Sequence, residues 1–533
     1  MYDERFRIKF GLSVFAVAIV VVACFFYLRL DAIAIFTVAP AFLSFIATEF
    51  MPPALDNASA FLLPALFTVA FAVVSTLISA FFSFIFALMM TEAIMPYWTV
   101  RFSVRFVMTF VRNIPVVIWA VMMVLIFGVG SMVGLMALIM ATTGFLSRSY
   151  AESINEIAVR KLEPMRASGV GKLAMIRHGL LPEFAPAWVN WTLFSFELNV
   201  RASAVLGLVG VGIGMGLTIQ TRLTFRRFQD VATMVLILII VVLATEFIAN
   251  WMRNRFMNNV NAASSAAPPK NNVLRVVPLH ALIKKWFAIV VIVSVFVLCI
   301  FYIDLDVARF VGRLNRAPDI LRQLMRIDIG IITTGLRQFS ISFAMGLVGL
   351  VLGGLLAFML AFLAADNIAP FKPLAMAIKG FVSIVRAVPS LIFILMIVAA
   401  VGLGYTAGVV VLILSSMGYL TKAFVGTIEE QHRGIITAMR ATGAGWWQIV
   451  LHGLLPAVLT GFFAWLAIRM ETSVAESVTL GVVGAGGIGT LISRAERNRD
   501  FAALTTLILI IVICMAALEW GSNYLRRRVV ARG

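Results

Sequence analysis

The chain has 533 residues, of which 62% are hydrophobic and 13% charged, and its formal net charge is +18. A water-soluble fold has too little interior to hide that much apolar surface, so the unit to look for is a run of about 20 apolar residues, matched to a hydrocarbon core about 30 Å thick. The runs are continuous rather than alternating, which excludes a β-barrel, and Lys and Arg in such a protein mark cytoplasmic loops rather than nucleic-acid binding.

The first span is Gly11–Leu30, which follows the charged stretch DERFRIK. No small-residue cleavage site clearly follows it, so it reads as a retained span and not a signal peptide. Five more spans fall at about 64–90, 107–127, 131–147, 185–206 and 231–250. The polar stretch Arg253–Lys285 contains Ala-Ala-Ser-Ser-Ala-Ala-Pro-Pro and reads as a linker. Six further spans follow at about 287–303, 339–364, 381–400, 405–420, 459–480 and 502–520. The expected fold class is an all-α polytopic membrane protein with about 12 transmembrane helices. Cys24, Cys299 and Cys514 each lie within an apolar run, without metal-ligand spacing.

The two parts align at an offset of 274 residues. Arg112-Asn-Ile-Pro115 falls on Arg386-Ala-Val-Pro389, Arg166-Ala-Ser-Gly169 on Arg440-Ala-Thr-Gly443, and HGLLP at His178–Pro182 on HGLLP at His452–Pro456. Glu197 falls on Glu471, Ser203 on Ser477, and Leu206–Gly210 on Leu480–Gly484. Shared hydrophobicity would not hold polar, Gly and Pro residues in register, so the chain is an internal duplication. The expected domains are a first repeat at 1–252, a cytoplasmic linker at 253–285 and a second repeat at 286–533. Six spans per copy bring both copies into the membrane in the same direction, as parallel six-helix repeats.

Charge sets the orientation. Arg5, Arg7 and Lys9, the linker's Arg253, Arg255, Lys284 and Lys285, and the terminal Arg526-Arg527-Arg528 are all expected on the cytoplasmic side. Asp31–Leu63 has no Lys or Arg and fits the outside. Its counterpart Asp304–Arg337 carries six arginines, with Arg309, Arg313 and Arg316 at helical spacing. Arg222-Arg226-Arg227 and Arg494-Arg497-Arg499 also fall outside. An interfacial amphipathic helix accounts for the first cluster; a positive vestibule that gathers an anion or docks a partner is the functional alternative.

On this topology the segments at about 148–183 and 421–457 are cytoplasmic. They contain EPMRASGVGKLAMIRHGLLP (Glu163–Pro182) and TAMRATGAGWWQIVLHGLLP (Thr437–Pro456). Propensity gives a helix, a bend at Gly169 or Gly443, and a second short helix that stops at Pro182 or Pro456. Such a hairpin suits a groove on another protein, with Trp446, Trp447 and Ile449 as contact area. His178 and His452 are expected to pack or cap rather than do chemistry.

With Gly followed thirteen residues later by Pro in both copies, these segments resemble the coupling loop of ABC-importer permeases. Phe196–Gly214 and Met470–Gly489 resemble the phosphonate-type subfamily, which carries phosphonate, phosphate and phosphite. The resemblance covers about residues 64–250 and 338–525 and implies a type I ABC importer permease fold in a bacterial inner membrane, both termini cytoplasmic. It implies two ATP-binding cassette subunits on the cytoplasmic side and an external substrate-binding protein. ATP and Mg would sit in the partner ATPase; no P-loop occurs in this chain, which is expected to bind no cofactor and to be no enzyme itself. Glu163, Arg166, Ala167, Gly169, Gly171 and Pro182, with Arg440, Ala441, Gly443, Gly445, Trp447 and Pro456, are the implied ATPase contacts. Copy two lacks the initial Glu of the motif, having Thr437 there.

Ionisable residues at membrane depth are the remaining candidates. Arg201 lies four residues after Glu197, close enough to pair on one helix face, with Ser203 beside them. Arg and hydroxyl groups suit a tetrahedral oxyanion; a structural Glu–Arg pair that ties helices or closes a gate explains the same residues. Copy two keeps Glu471 and Ser477, replaces Arg201 by Ala475 and adds Arg469 and Glu476. Arg112 with Pro115 and Arg386 with Pro389 are candidates for an inner gate, or for snorkelling at the interface. The expected function is an ATP-driven importer's permease for a phosphorus oxyanion. The alternatives are a 6+6 secondary transporter or an ABC permease for an amino acid or vitamin.

Overall fold

The structure is a computed structural model that describes residues 4–209, 214–265, 279–431 and 433–530. Among these residues it is helical with short connections and contains no strand. The first copy begins with α1 (Glu4–Tyr27), α2 (Ala32–Phe45), α3 (Ala58–Met90), α4 (Trp98–Arg112), α5 (Val116–Phe127) and α6 (Ser131–Ile157). It continues with α7 (Glu163–Ala167), α8 (Lys172–Ala174), α9 (Leu181–Leu206), α10 (Met215–Thr224) and α11 (Phe228–Ser265). The second begins with α12 (Leu279–Ile303), α13 (Val307–Arg313), α14 (Ala317–Leu324), α15 (Ile332–Ala364), α16 (Lys372–Ala387), α17 (Ser390–Val401) and α18 (Tyr405–Glu429). It ends with α19 (Arg433–Ala441), α20 (Trp446–Gln448), α21 (Leu455–Leu480), α22 (Ile488–Asn498) and α23 (Phe501–Val530). Of the stretch 253–285, residues through Ser265 continue α11, α12 starts at Leu279, and 266–278 lie outside the described residues.

Among the described residues, seven helices are individually long and apolar enough to cross a membrane, and three further pairs are bent by more than 40° at a short break. The spans expected at 107–127 and 381–400 are two of these pairs: α4 meets α5 at 93°, and α16 meets α17 at 90°. Pro115 and Pro389 cause the breaks, because proline offers no N–H and drives the preceding residue out of the helical region; Val388 has ψ 120°. Arg112 and Arg386 therefore end an amphipathic helix instead of lying one turn inside a span. At 12 residues each, α5 and α17 run only about 18 Å, too short to cross alone. The helical spacing of the outer arginines holds to Arg313, where α13 ends.

The chain forms two compact units, one of residues 1–52 and 320–533, the other of residues 53–319. Each unit takes its opening segment from the other repeat. In the first unit α1 lies on α15, and α2 on α17 and α18. In the second, α12 lies on α3, and α13 on α5 and α6. Hydropathy fixes that these helices exist, not which bundle receives them.

Each core is a helix pair closed through small residues, as membrane helices require when apolar burial alone gives little driving force. In one unit α15 presents Gly349 to Leu412 and Gly353 to Ile413 and Ser416 of α18. The equivalent seam of α3 uses serine: Ser79 donates to the Ile139 carbonyl (3.3 Å) and Ser83 to the Thr143 carbonyl (3.3 Å), both on α6. A second close approach ends each bundle. A Cβ on Gly216 would overlap the carbonyl oxygen of Ala204, and one on Gly489 that of Val478. These glycines lie 273 apart, so the repeat loses one residue in the glycine-rich bend between the two regions.

Candidate functional site: paired hairpins and two intramembrane ion pairs

Both cytoplasm-assigned segments fold into the expected bend. Gly169 has φ 77° and Gly443 φ 79°, a left-handed conformation that favours glycine. In the first, the Gly169 N–H donates to the Arg166 carbonyl (3.0 Å) and the Val170 N–H to the Met165 carbonyl (3.1 Å). In the second, Gly443 donates to Arg440 (3.0 Å) and Ala444 to Met439 (3.1 Å). This is the Schellman arrangement, which satisfies the last carbonyls of α7 and α19. Gly171 and Gly445 are extended and precede α8 and α20; the Gly445 N–H donates to the Gln448 side chain at 2.8 Å.

The stop expected at Pro182 and Pro456 is not there. Both prolines sit in the first turn of α9 and α21, and the chain reaches them through a wide π-helical turn, Met175–Leu180 or Ile449–Leu454. Proline lacks the N–H for an i−4 bond and its ring crowds that carbonyl, and the wider turn relieves both without ending the helix. HGLLP is thus the joint by which each hairpin continues into a span. Its glycine is needed for packing: a Cβ on Gly179 or Gly453 would run into the sulfur of Met165 or Met439. Its first leucine, Leu180 or Leu454, is fully buried. Its histidine is exposed in both copies, at His178 and His452.

The two hairpins stand on equivalent bases. Leu162, Met175 and Leu180 cluster with Tyr150 and Phe184; Ile436, Ile449 and Leu454 cluster with Phe424 and Phe462. Their outer faces expose Glu163, Arg166, Ala167, Gly169 and Gly171 on one, and Arg440, Ala441, Gly443 and Gly445 on the other. One apolar side chain projects from each at the same repeat position, Leu173 at 79% exposure and Trp447 at 69%. Leu173 is not among the residues singled out in the sequence; projecting Trp447 back by the repeat offset of 274 leads to it. Trp446 points the other way and donates to the Ile368 carbonyl (2.8 Å), whereas the first hairpin is tied by Lys161 to Glu183.

Beyond the hairpins, α9 and α21 each carry an arginine paired with a carboxylate at membrane depth. Arg201 meets Glu197 (2.5 Å) and approaches Glu246 of α11 (3.9 Å). In the other unit Arg469, buried to 7% exposure, donates to Glu476 (2.6 Å) and Ser415 (2.8 Å) through Nη2, to Ser416 (3.3 Å) through Nε and to Thr472 (3.3 Å) through Nη1. Ser415 also donates to Glu476 (2.8 Å). Glu476 is therefore paired, and Glu471 is half-buried.

Ser203 and Ser477 have a different job from the oxyanion contact expected of them. Ser203 donates to the Thr68 carbonyl (2.9 Å) and Ser477 to the Ser342 carbonyl (2.7 Å), bonds that tie α9 to α3 and α21 to α15. A buried hydroxyl takes the nearest carbonyl when no water is at hand. Asn199 is a tie the sequence reading passed over: it donates to Thr76 (2.8 Å) and accepts from Thr142 (2.9 Å). Among the described residues no group of His, Cys, Asp and Glu could hold a metal ion.

The chain matches one family model twice, at residues 83–261 and 333–531: the binding-protein-dependent transport system inner membrane component. It is 28% identical over 480 residues to the phosphate-import permease protein PhnE of Mycolicibacterium smegmatis, covering 90% of this chain and 88% of that one. It is 26% identical over 238 residues to the phosphite transport system permease protein PtxC of Stutzerimonas stutzeri, covering 45% of this chain and 86% of that one. A putative cryptic phosphonate transport system permease protein, PhnE2 of Escherichia coli, is matched over its whole length at 33% identity and covers 23% of this chain.

Proposed function

Because the chain belongs to the family of binding-protein-dependent transport system inner membrane components, we propose that it is the fused permease of an ATP-driven importer and carries a phosphorus oxyanion: phosphate, phosphonate or phosphite. The observation that carries the reading is the pair of hairpins, each a buried apolar base under one projecting apolar residue, Leu173 or Trp447. Each hairpin fills a groove on a cytoplasmic ATP-binding subunit. Two such subunits hold the ATP and Mg, an external binding protein delivers the solute, and the termini and hairpins face the cytoplasm. The relatives named for phosphate and phosphite import support the substrate class.

The motion of a hairpin reaches the membrane without a hinge. The π turn joins α8 to α9, and α20 to α21, in one helical path. Displacing a hairpin therefore moves the segment that carries Glu197 and Arg201, or Arg469 and Glu476, about 21 Å farther on for Glu197 at 1.5 Å per residue. Alternating access follows if the two halves rock in response. Arg112 with Pro115, and Arg386 with Pro389, lie where a break in the span lets the inner end gate.

Purification of the complex tests the reading: one chain is expected to retain two nucleotide-binding subunits, and a chain that transports without ATP or any such subunit would be a secondary transporter. Within the complex, Arg201→Ala is expected to lower phosphate or phosphonate uptake at least about tenfold, the loss of one charge-assisted contact. Full uptake in that variant would make Glu197–Arg201 a helix tie only.

A further inference from the structure

The Schellman turn of the hairpins recurs at the far end of each unit with a different residue in the critical place. After α10, the Arg226 N–H donates to the Leu223 carbonyl (3.0 Å) and the Arg227 N–H to the Arg222 carbonyl (2.9 Å). After α22, the Arg499 N–H donates to the Glu496 carbonyl (3.0 Å) and the Asp500 N–H to the Ala495 carbonyl (2.9 Å). The left-handed position is glycine in both hairpins but arginine here in both copies: Arg226 has φ 54° and Arg499 φ 53°. An L side chain is disfavoured in this conformation. The neighbours have diverged, with Thr224 against Arg497 and Arg227 against Asp500, while the two arginines have not. The chain also holds Arg29 (φ 51°) and Asp304 (φ 48°) in the left-handed region after α1 and α12, where the residue differs between the copies; after α10 and α22 both copies keep arginine, and they keep it for the side chain.

Helix ends do not explain it. Arg222 and Arg497 already place a cation in the last turns of α10 and α22, where it offsets the helix dipole without a left-handed residue. Arg222 is held by Asp230 (3.2 Å) and Arg497 by Ser493 (2.7 Å). Arg226 and Arg499 are exposed and make no ion pair among the described residues. Each stands two residues before the last span of its repeat, α11 from Phe228 and α23 from Phe501. Those spans turn Ile240 and Phe247, or Ile513 and Trp520, outward, so their faces meet lipid. A guanidinium at that level stands where phosphate groups lie.

We propose that Arg226 and Arg499 are matched phosphate contacts, one in each unit, each binding a phosphate oxyanion at the membrane surface beside the last span of its repeat. A phospholipid headgroup and a free phosphate solute share this chemistry, and the test separates them. This site does not depend on the transport reading, because lipid retention can be measured without ATP or transport.

The complete chain is placed in nanodiscs of phosphatidylcholine with or without phosphatidylglycerol, and retained lipid is counted by native mass spectrometry. Arg226→Gln and Arg499→Gln are each expected to lower phosphatidylglycerol retention about fivefold, and Arg227→Gln is expected to leave it unchanged. If inorganic phosphate binding in pure phosphatidylcholine discs falls instead, the solute is the source. Arg226→Gly and Arg499→Gly give an independent readout: they should lose the phosphate contact yet melt no lower than the parent, because glycine relieves the turn. Unchanged retention of both phosphatidylglycerol and inorganic phosphate overturns the proposal. So does a lower melting temperature of the glycine variants with phosphate binding intact. If both phosphate arms are unchanged but affinity for an acidic external protein falls, the proposal is likewise overturned, in favour of a carboxylate partner.

Discussion

Leu173→Asp combined with Trp447→Asp is expected to strip the ATP-binding subunits from the purified chain. Each substitution replaces a projecting apolar side chain, 79% and 69% exposed, with a charge that the groove of the proposed subunit would have to desolvate. Truncation of a central apolar anchor costs about 2 kcal/mol or more, and a buried unpaired charge adds to it. Together the two should weaken subunit binding at least about a thousandfold. Trp447→Asp alone should cost more than Leu173→Asp alone, since the indole buries the larger area. His178→Ala and His452→Ala should leave the fold of each hairpin intact, because both imidazoles are exposed. Co-purification with unchanged stoichiometry in the double aspartate variant would remove the hairpins from the coupling interface.

Arg469→Ala is expected to destabilise its unit by about 3–5 kcal/mol, because it leaves Glu476 charged at membrane depth with Ser415 as its remaining partner. Arg469→Met with Glu476→Gln should recover most of that loss, since replacing both charges removes the uncompensated one. Thermal unfolding of the parent, the single variants and the double variant in detergent gives the coupling energy directly. Equal and additive losses would mean that Arg469 and Glu476 do not act as a pair. The comparison with Arg201 is informative. Arg469 is held by four side chains across two helices, whereas Arg201 faces two carboxylates, Glu197 and Glu246. The two halves thus bury an arginine–glutamate pair on the same helix with different residues in different positions.

The repeat carried most of what could be read in advance. Gly169 and Gly443, held in register with Pro182 and Pro456, gave the bend of each hairpin, and Glu197–Arg201 at one helical turn gave the first ion pair. The second pair escaped because its members are seven residues apart. Two turns bring them back to the same face, and long side chains cover the roughly 10.5 Å between them. The right-angle breaks at Pro115 and Pro389 escaped because hydropathy averages across a proline in an apolar run. The continuation through Pro182 and Pro456 escaped because a proline after a short helix reads as a stop, while a π turn lets the same residue begin the next one. The exchange of opening segments between units was not legible at all. Past their charged N-terminal turns α1 and α12 are apolar almost throughout, and no pattern in them names the bundle each must join.

ATP hydrolysis by the reconstituted complex, measured with its binding protein across phosphate, phosphonate, phosphite and an amino acid, tests the central claim most directly. The account predicts hydrolysis stimulated by a phosphorus oxyanion and coupled to its uptake. It also predicts that this stimulation is lost when the charge is reversed in either hairpin, at Arg166 or at Arg440. Stimulation by the amino acid alone would contradict the substrate class, and substrate-stimulated hydrolysis and uptake that survive both charge reversals would contradict the coupling.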